Sequence, residues 1–170
     1  MMQKKVQIIS DGSLDLSQEI TKEKDIEVVP FYVSFDSETY QKEMVEVGVR
    51  EFYQEMVDHP TVFPKTSMPS VHDYYEVFEK HAKEKMPVIC ICITRKFSGS
   101  LQSATVAKDM VKDEYPEARI TVIDSTVNTV LQGLFVLEAC RMRDMGLDYE
   151  KIIERILPIR ETGRIFFTIG

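Results

Sequence analysis

The stretch Cys90-Ile91-Cys92-Ile93-Thr94-Arg95-Lys96-Phe97-Ser98-Gly99-Ser100-Leu101-Gln102-Ser103 decides how the chain is read. Val88 to Ile93 is a short apolar run, Ser98-Gly99-Ser100 is a turn of small residues, and a helical apolar pattern starts at Leu101. A strand, a small-residue turn and a helix start, in that order, gather backbone N–H groups and hydroxyls where an anion is welcome. A helix cap accounts for Ser100, at about 1 kcal/mol. It leaves Ser98, Gly99, Gln102 and Ser103 unexplained, so the turn is a candidate ligand site.

The same grammar recurs on either side. Val6, Ile8 and Ile9 form a strand running into Ser10-Asp11-Gly12-Ser13, and Ile120-Thr121-Val122-Ile123 runs into Asp124-Ser125-Thr126. Ile26 to Val29 reads as a strand that Pro30 confines to an edge. Phe31, Val33 and Phe35 alternate with polar residues, and the turn Asp36-Ser37-Glu38 makes a hairpin. Helical spacing appears at Ser17–Ile20, at Val49–Asp58, from Val71 through Tyr74, Tyr75, Phe78 and Ala82, after Ser100, and from Val130 to Cys140. Ser70 with Asp73 approximates a capping box. Asp148 caps a helix that Pro158 ends or kinks, and a last strand is expected over Arg164–Ile169. Strands alternating with helices predict an α/β fold with a mainly parallel sheet and helices on both faces. Ligands in such sheets gather beyond the strand C-termini. If the three small-residue tips share one edge, they line one mouth.

Composition narrows the function. The chain has 170 residues, 44% of them hydrophobic, with a net charge of −7, which suits one domain with a sizeable core. An acidic chain with no basic run excludes nucleic acid as the expected partner. No apolar run reaches membrane-spanning length and the N-terminus carries no secretory signal, so neither stable membrane insertion nor export is expected. Three cysteines without framework spacing fit reduced thiols in the cytoplasm. Cys90 and Cys92 point the same way from one strand; a metal or redox pair needs a further ligand, and core packing is the preferred reading.

Other candidate chemistry is sparse. Pro64-Lys65-Thr66-Ser67-Met68-Pro69-Ser70 is read as a loop between prolines, its hydroxyls either held ready for a ligand or spent in a local turn. His59, His72 and His81 are read as solvated or half-buried surface residues. There is no nucleophile elbow, no zinc-protease helix motif and no phosphate loop. Asp11, Asp15 and Asp124 offer a metal set in principle, so a small metal-dependent phosphatase or a nucleotide-binding enzyme stands as the alternative function.

Five blocks in order carry a resemblance: Ser10-Asp11-Gly12-Ser13-Leu14-Asp15-Leu16, Val28-Val29-Pro30, Pro64 to Ser70, Phe97-Ser98-Gly99-Ser100-Leu101-Gln102-Ser103-Ala104, and Val122-Ile123-Asp124-Ser125. Together they resemble the N-terminal portion of the DegV family of bacterial fatty-acid-binding proteins. The chain departs from the usual pattern in places: Asp11-Gly12-Ser13 stands where the family has Asp-Ser-Thr, Ser98-Gly99-Ser100 where it has Ser-Gly-Thr, and Thr94-Arg95-Lys96 replaces a more serine-rich lead-in. The resemblance implies the first lobe of a two-lobed fold over residues 1–165, with 166–170 beginning the crossover to a second lobe. It implies a long-chain fatty acid as ligand, its tail in an apolar tunnel and its carboxylate on Thr66 and Ser98, with Ser67 and Gly99 beside them. It further implies a carrier with no catalytic residue, metal or cofactor of its own, which presents the acid to a separate ATP-binding fatty acid kinase subunit.

Overall fold

A computed structural model describes residues 6–166. In chain order the elements are β1 (Gln7–Asp11), α1 (Gln18–Glu23), β2 (Ile26–Val29), β3 (Tyr32–Ser34), β4 (Gln41–Lys42), α2 (Val49–Asp58), β5 (Lys65–Ser67), α3 (Val71–Lys83), β6 (Val88–Cys92), α4 (Ser100–Glu114), β7 (Ile120–Asp124), α5 (Thr129–Asp144) and α6 (Tyr149–Ile159). The main sheet runs β2-β1-β6-β7, every pair parallel. All residues of β1 and β6 are buried, as strands covered on both faces require. Successive side chains of a strand serve opposite faces. Ile8, Ile89, Ile91 and Ile123 meet Phe135 and Val136 of α5 and Ile152 and Ile156 of α6. On the other face Ile9, Cys90 and Cys92 meet Tyr74 and Phe78 of α3 and Ala104, Ala107 and Val111 of α4. Helices therefore cover both faces, the cysteines pack in the core, and β2 lies at the edge.

A second sheet, β4-β3-β5, is antiparallel. Here the expected loop at Thr66-Ser67 is corrected: Lys65–Ser67 is a strand, with Thr66 opposite Val33 and Ser67 opposite Tyr32. All three residues are exposed, so no apolar alternation marks the strand; the free backbone edge of β3 recruits it. The small sheet is tied to α3 by one carboxylate. Asp73 accepts from the Ser70 N–H at 2.8 Å and the Ser70 hydroxyl accepts from the Asp73 N–H at 3.1 Å, completing the capping box. Asp73 also accepts from the Tyr32 hydroxyl of β3 at 2.8 Å and pairs with Lys42 of β4 at 3.1 Å.

Three local expectations need adjustment. His81 is buried rather than at the surface, its Nε2 2.6 Å from the Glu27 carboxylate on β2, because the C-terminal end of α3 lies against that edge strand. Pro158 falls inside the last turn of α6, which ends one residue later. Arg164 to Phe166 have no regular structure, and the rest of the expected last strand and of the crossover expected over 166–170 lies outside the described residues. Asp148 caps α6 as expected, accepting from the Lys151 N–H at 2.9 Å.

These contacts set an acid limit. Burial works to raise the Asp73 carboxyl, but the bonds from Ser70, Tyr32 and Lys42 outweigh it and hold it at about 2, against an ordinary 3.8. Burial likewise works to raise the Glu27 carboxyl, and the bonds from His81 and Lys80 outweigh it and lower it. A carboxyl depressed by folding contributes stability above its unfolded value and loses it as pH falls through the folded one. Urea melts across a pH series are therefore expected to show stability dropping as pH falls from 3.8 towards about 2, with a shallower drop in Asp73→Asn. A second variant probes packing: a Cβ at Gly133 would stand 2.3 Å from the Leu14 carbonyl oxygen and 2.9 Å from Leu16. Gly133→Ala is expected to cost about 1–3 kcal/mol in the same melts.

Candidate functional site

Parallel neighbours end at the same edge, so the tips of β1, β6 and β7 do line one mouth. Asp11, the last residue of β1, is buried at its base. One carboxylate oxygen accepts from the Ile93 N–H at 2.9 Å and from the Ser100 hydroxyl at 2.7 Å; the other accepts from the Gln132 amide at 2.8 Å. Gln132 also donates to the Ser10 hydroxyl at 3.1 Å, which donates onward to the Ile91 carbonyl at 2.9 Å. Proton directions follow. Ser100 spends its hydrogen on Asp11, so at 2.6 Å it accepts from Tyr74. Tyr74 then has no hydrogen left for Cys92, 3.6 Å away, and Cys92 is the donor of that contact. The donors converge on Asp11.

The β6–α4 turn is built on this clamp. Asp11 holds Ile93 before the turn and Ser100 after it. Ser100 is thus not the helix cap expected from sequence; it is the first residue of α4, Gly99 holds the cap position without a side-chain bond, and the Ser98 hydroxyl accepts from the Ser100 N–H at 3.1 Å. That bond occupies a lone pair and leaves the Ser98 O–H pointed elsewhere. Ser98 and Gly99 are half-buried, and Thr66 and Ser67 are exposed on β5. Met68, directly after β5, covers Gly99: a Cβ there would lie 2.6 Å from the Met68 sulfur. The end of β5 and the β6–α4 turn therefore adjoin. No protein group accepts from the hydroxyl of Thr66 or of Ser98 among the described residues.

Apolar surface adjoins the mouth. Gly12 follows Asp11, and the notch left by its missing side chain holds a Glu43 carboxylate oxygen, which accepts from the Phe31 N–H at 3.1 Å. Beside it lies a cavity of ≈ 190 Å³ whose wall combines Leu14, Leu16, Ile26, Val28 and Met44 with the polar Gln18, Thr21, Lys22 and Glu43. Burial raises the Glu43 carboxyl against the pull of the Phe31 N–H, and the charges of Asp11 and Asp15 add to the rise. Val130 and Leu134, one turn apart on α5, stay exposed, as does Phe97. No three His, Cys, Asp or Glu side chains converge to hold a metal among the described residues. Asp11 is committed to protein donors and Asp124 lies 3.7 Å from Arg95. Sequence reading offered Asp11 only as part of a metal set and missed the roles of Gln132 and Tyr74. A polar Gln on the inner face of an otherwise apolar helix was the available signal for the first; Tyr74 gave none, because its spacing matches a core position. No helix among the described residues is long and apolar enough to cross a membrane.

Comparison with known proteins places this geometry in a family. A family model described as "Uncharacterised protein, DegV family" matches residues 5–170. A DegV domain-containing protein of Clostridium acetobutylicum is 35% identical over 153 residues, covering 90% of this chain and 53% of its own length. Among solved structures, a stearic acid-binding protein of Eubacterium ventriosum superposes with a TM-score of 0.85 at 45% identity, over 89% of this chain and 52% of that one. A DegV family protein of Thermus thermophilus, described for its fatty acid binding, gives 0.77 at 28% identity over 92% and 54%. The chain thus spans about half the length of these relatives. It belongs to the DegV family.

Proposed function

We propose that the chain binds a long-chain fatty acid in the cytoplasm of a bacterium, with the carboxylate held by the hydroxyls of Thr66 and Ser98 and bordered by Ser67 and Gly99. The observation that carries this reading is the seat of Met68 on Gly99, which joins two elements whose hydroxyls are both unspent donors. Two O–H donors suit a carboxylate, an acceptor-only group. Apolar surface for the tail is at hand in the cavity beside Gly12 and on the exposed residues of α5. At ≈ 190 Å³ the cavity is smaller than the roughly 300–1,000 Å³ of sites that enclose a small molecule, so it takes part of a tail and the remaining surface comes from elsewhere in the carrier. The chain supplies no catalytic group in this reading; it presents the acid to a separate fatty acid kinase subunit that binds ATP.

Energies divide the work. Each buried methylene contributes about 0.8 kcal/mol, so a palmitoyl tail contributes on the order of 10 kcal/mol before association costs. A hydrogen bond to a charged group adds about 1.5–3 kcal/mol. The tail sets affinity and the hydroxyls set orientation. Solvent extraction of the purified protein and mass spectrometry are expected to find a long-chain fatty acid; absence of lipid together with metal-dependent phosphatase activity would replace the reading with the enzyme alternative. Ser98→Ala is expected to weaken binding modestly while slowing phosphorylation of the bound acid by a partner kinase more severely. An unchanged phosphorylation rate removes Ser98 from the site.

A further inference from the structure

A buried acid sits behind the turn that carries Ser98. Asp11 is fully buried, and every neighbour named above meets it with a donor: the Ile93 N–H, the Ser100 hydroxyl and the Gln132 amide. Burial raises the Asp11 carboxyl, and these three donors, with the Ser13 backbone as a fourth, work against that rise. A protonated carboxyl would need an acceptor, and as these groups are oriented none is offered: the Gln132 amide gives its N–H to both Asp11 and Ser10. The arrangement is that of a carboxylate. Ser100, whose hydroxyl lies on Asp11, gives its N–H to the Ser98 oxygen. A ligand oxygen on Ser98 is therefore separated from Asp11 by this one turn.

We propose that Asp11 acts on the ligand through space: its buried charge makes the carboxyl group of a bound fatty acid harder to ionise and, once ionised, more basic. The inference rests on the carboxylate reading of Thr66 and Ser98. Like charges sharing a poorly solvated site disfavour each other's ionisation. The other ionisable groups around Asp11 do not cancel it. Tyr74 on α3 and Cys90 on β6 are kept neutral by burial, Cys92 faces Tyr74 as a thiol donor, and Glu43 has the same sign as Asp11. The cations of the mouth, Arg95, Lys96 and Lys65, are exposed, and Arg95 already faces Asp124. Solvent and salt screen exposed charges far more than buried ones. The negative contribution prevails.

Asp11→Asn tests this with the fold kept. The Gln132 side-chain oxygen is buried without a partner. By turning its amide over, Gln132 can accept from the substituted side chain, while the new amide oxygen keeps Ile93 and Ser100. The measurement is the pH titration of palmitic acid labelled at its carboxyl carbon, bound to the protein and followed by NMR. In the unmodified protein the carboxyl midpoint is expected about one pH unit above that of the same acid in neutral micelles. Asp11→Asn is expected to lower it by a similar amount and to tighten binding of the acid, but not of its methyl ester, at neutral pH. Equal midpoints in the two proteins overturn the proposal. If Thr66→Ala and Ser98→Ala leave the carboxyl resonance unmoved, the acid is not on those hydroxyls, and the binding reading falls with this one. If they move it and Asp11→Asn does not, Asp11 alone is wrongly assigned. Should Asp11→Asn fail to fold by circular dichroism, the unmodified protein decides: a midpoint at or below the micelle value overturns the proposal.

Discussion

A carboxylate buried at the end of β1 joins four elements that are remote in sequence. Asp11 holds the end of β6 through Ile93, the start of α4 through Ser100 and the first turns of α5 through Gln132. A buried charge is costly unless fully bonded, and here each bond also performs structural work. Ile93 and Ser100 are the two ends of the β6–α4 turn, so one side chain fixes the shape of the loop that carries Ser98. Tyr74 brings α3 into the same array through Ser100. The mouth of the sheet is thereby rigid at its base, while Thr66 stands on a separate sheet whose end meets the β6–α4 turn through Met68.

That separation follows from how the small sheet is attached. β3, β4 and β5 pair among themselves and share no strand with the main sheet. Asp73 ties Tyr32 and Lys42 to α3, and Glu43 fits the notch at Gly12. The Gly at position 12 is thus explained by packing: a side chain there would displace the Glu43 carboxylate that serves Phe31.

Much of the architecture was legible because it is written locally. Apolar runs closed by small polar residues located β1, β6 and β7, Pro30 located the edge strand, and Ser70 with Asp73 located the start of α3. The hydroxyl-bearing tips were readable for the same reason. What escaped is non-local or unpatterned. Lys65–Ser67 has no apolar alternation, since its strand exists by virtue of the β3 edge. The Asp11–Gln132 bond spans 121 positions of sequence, and nothing near either residue announces the other. Ser100 looked like a cap because serine before a helix usually is one; a buried acceptor on another strand claimed its hydroxyl. His81 looked superficial until the fold set it beside Glu27.

The seat of Met68 over Gly99 gives the mouth a mechanical property. One side of the proposed clasp is anchored by charge-assisted bonds and is stiff. The other rests against it through an unbranched thioether with three rotatable bonds, on a side chain that is 44% exposed. A gap bounded by one hard wall and one compliant wall sets direction without setting width. In the proposed site a head group would meet a fixed donor at Ser98, while the Thr66 side would yield to its size. Glycine at position 99 is the seat on which that compliant wall rests, and any side chain there would stiffen it by wedging the sulfur outward.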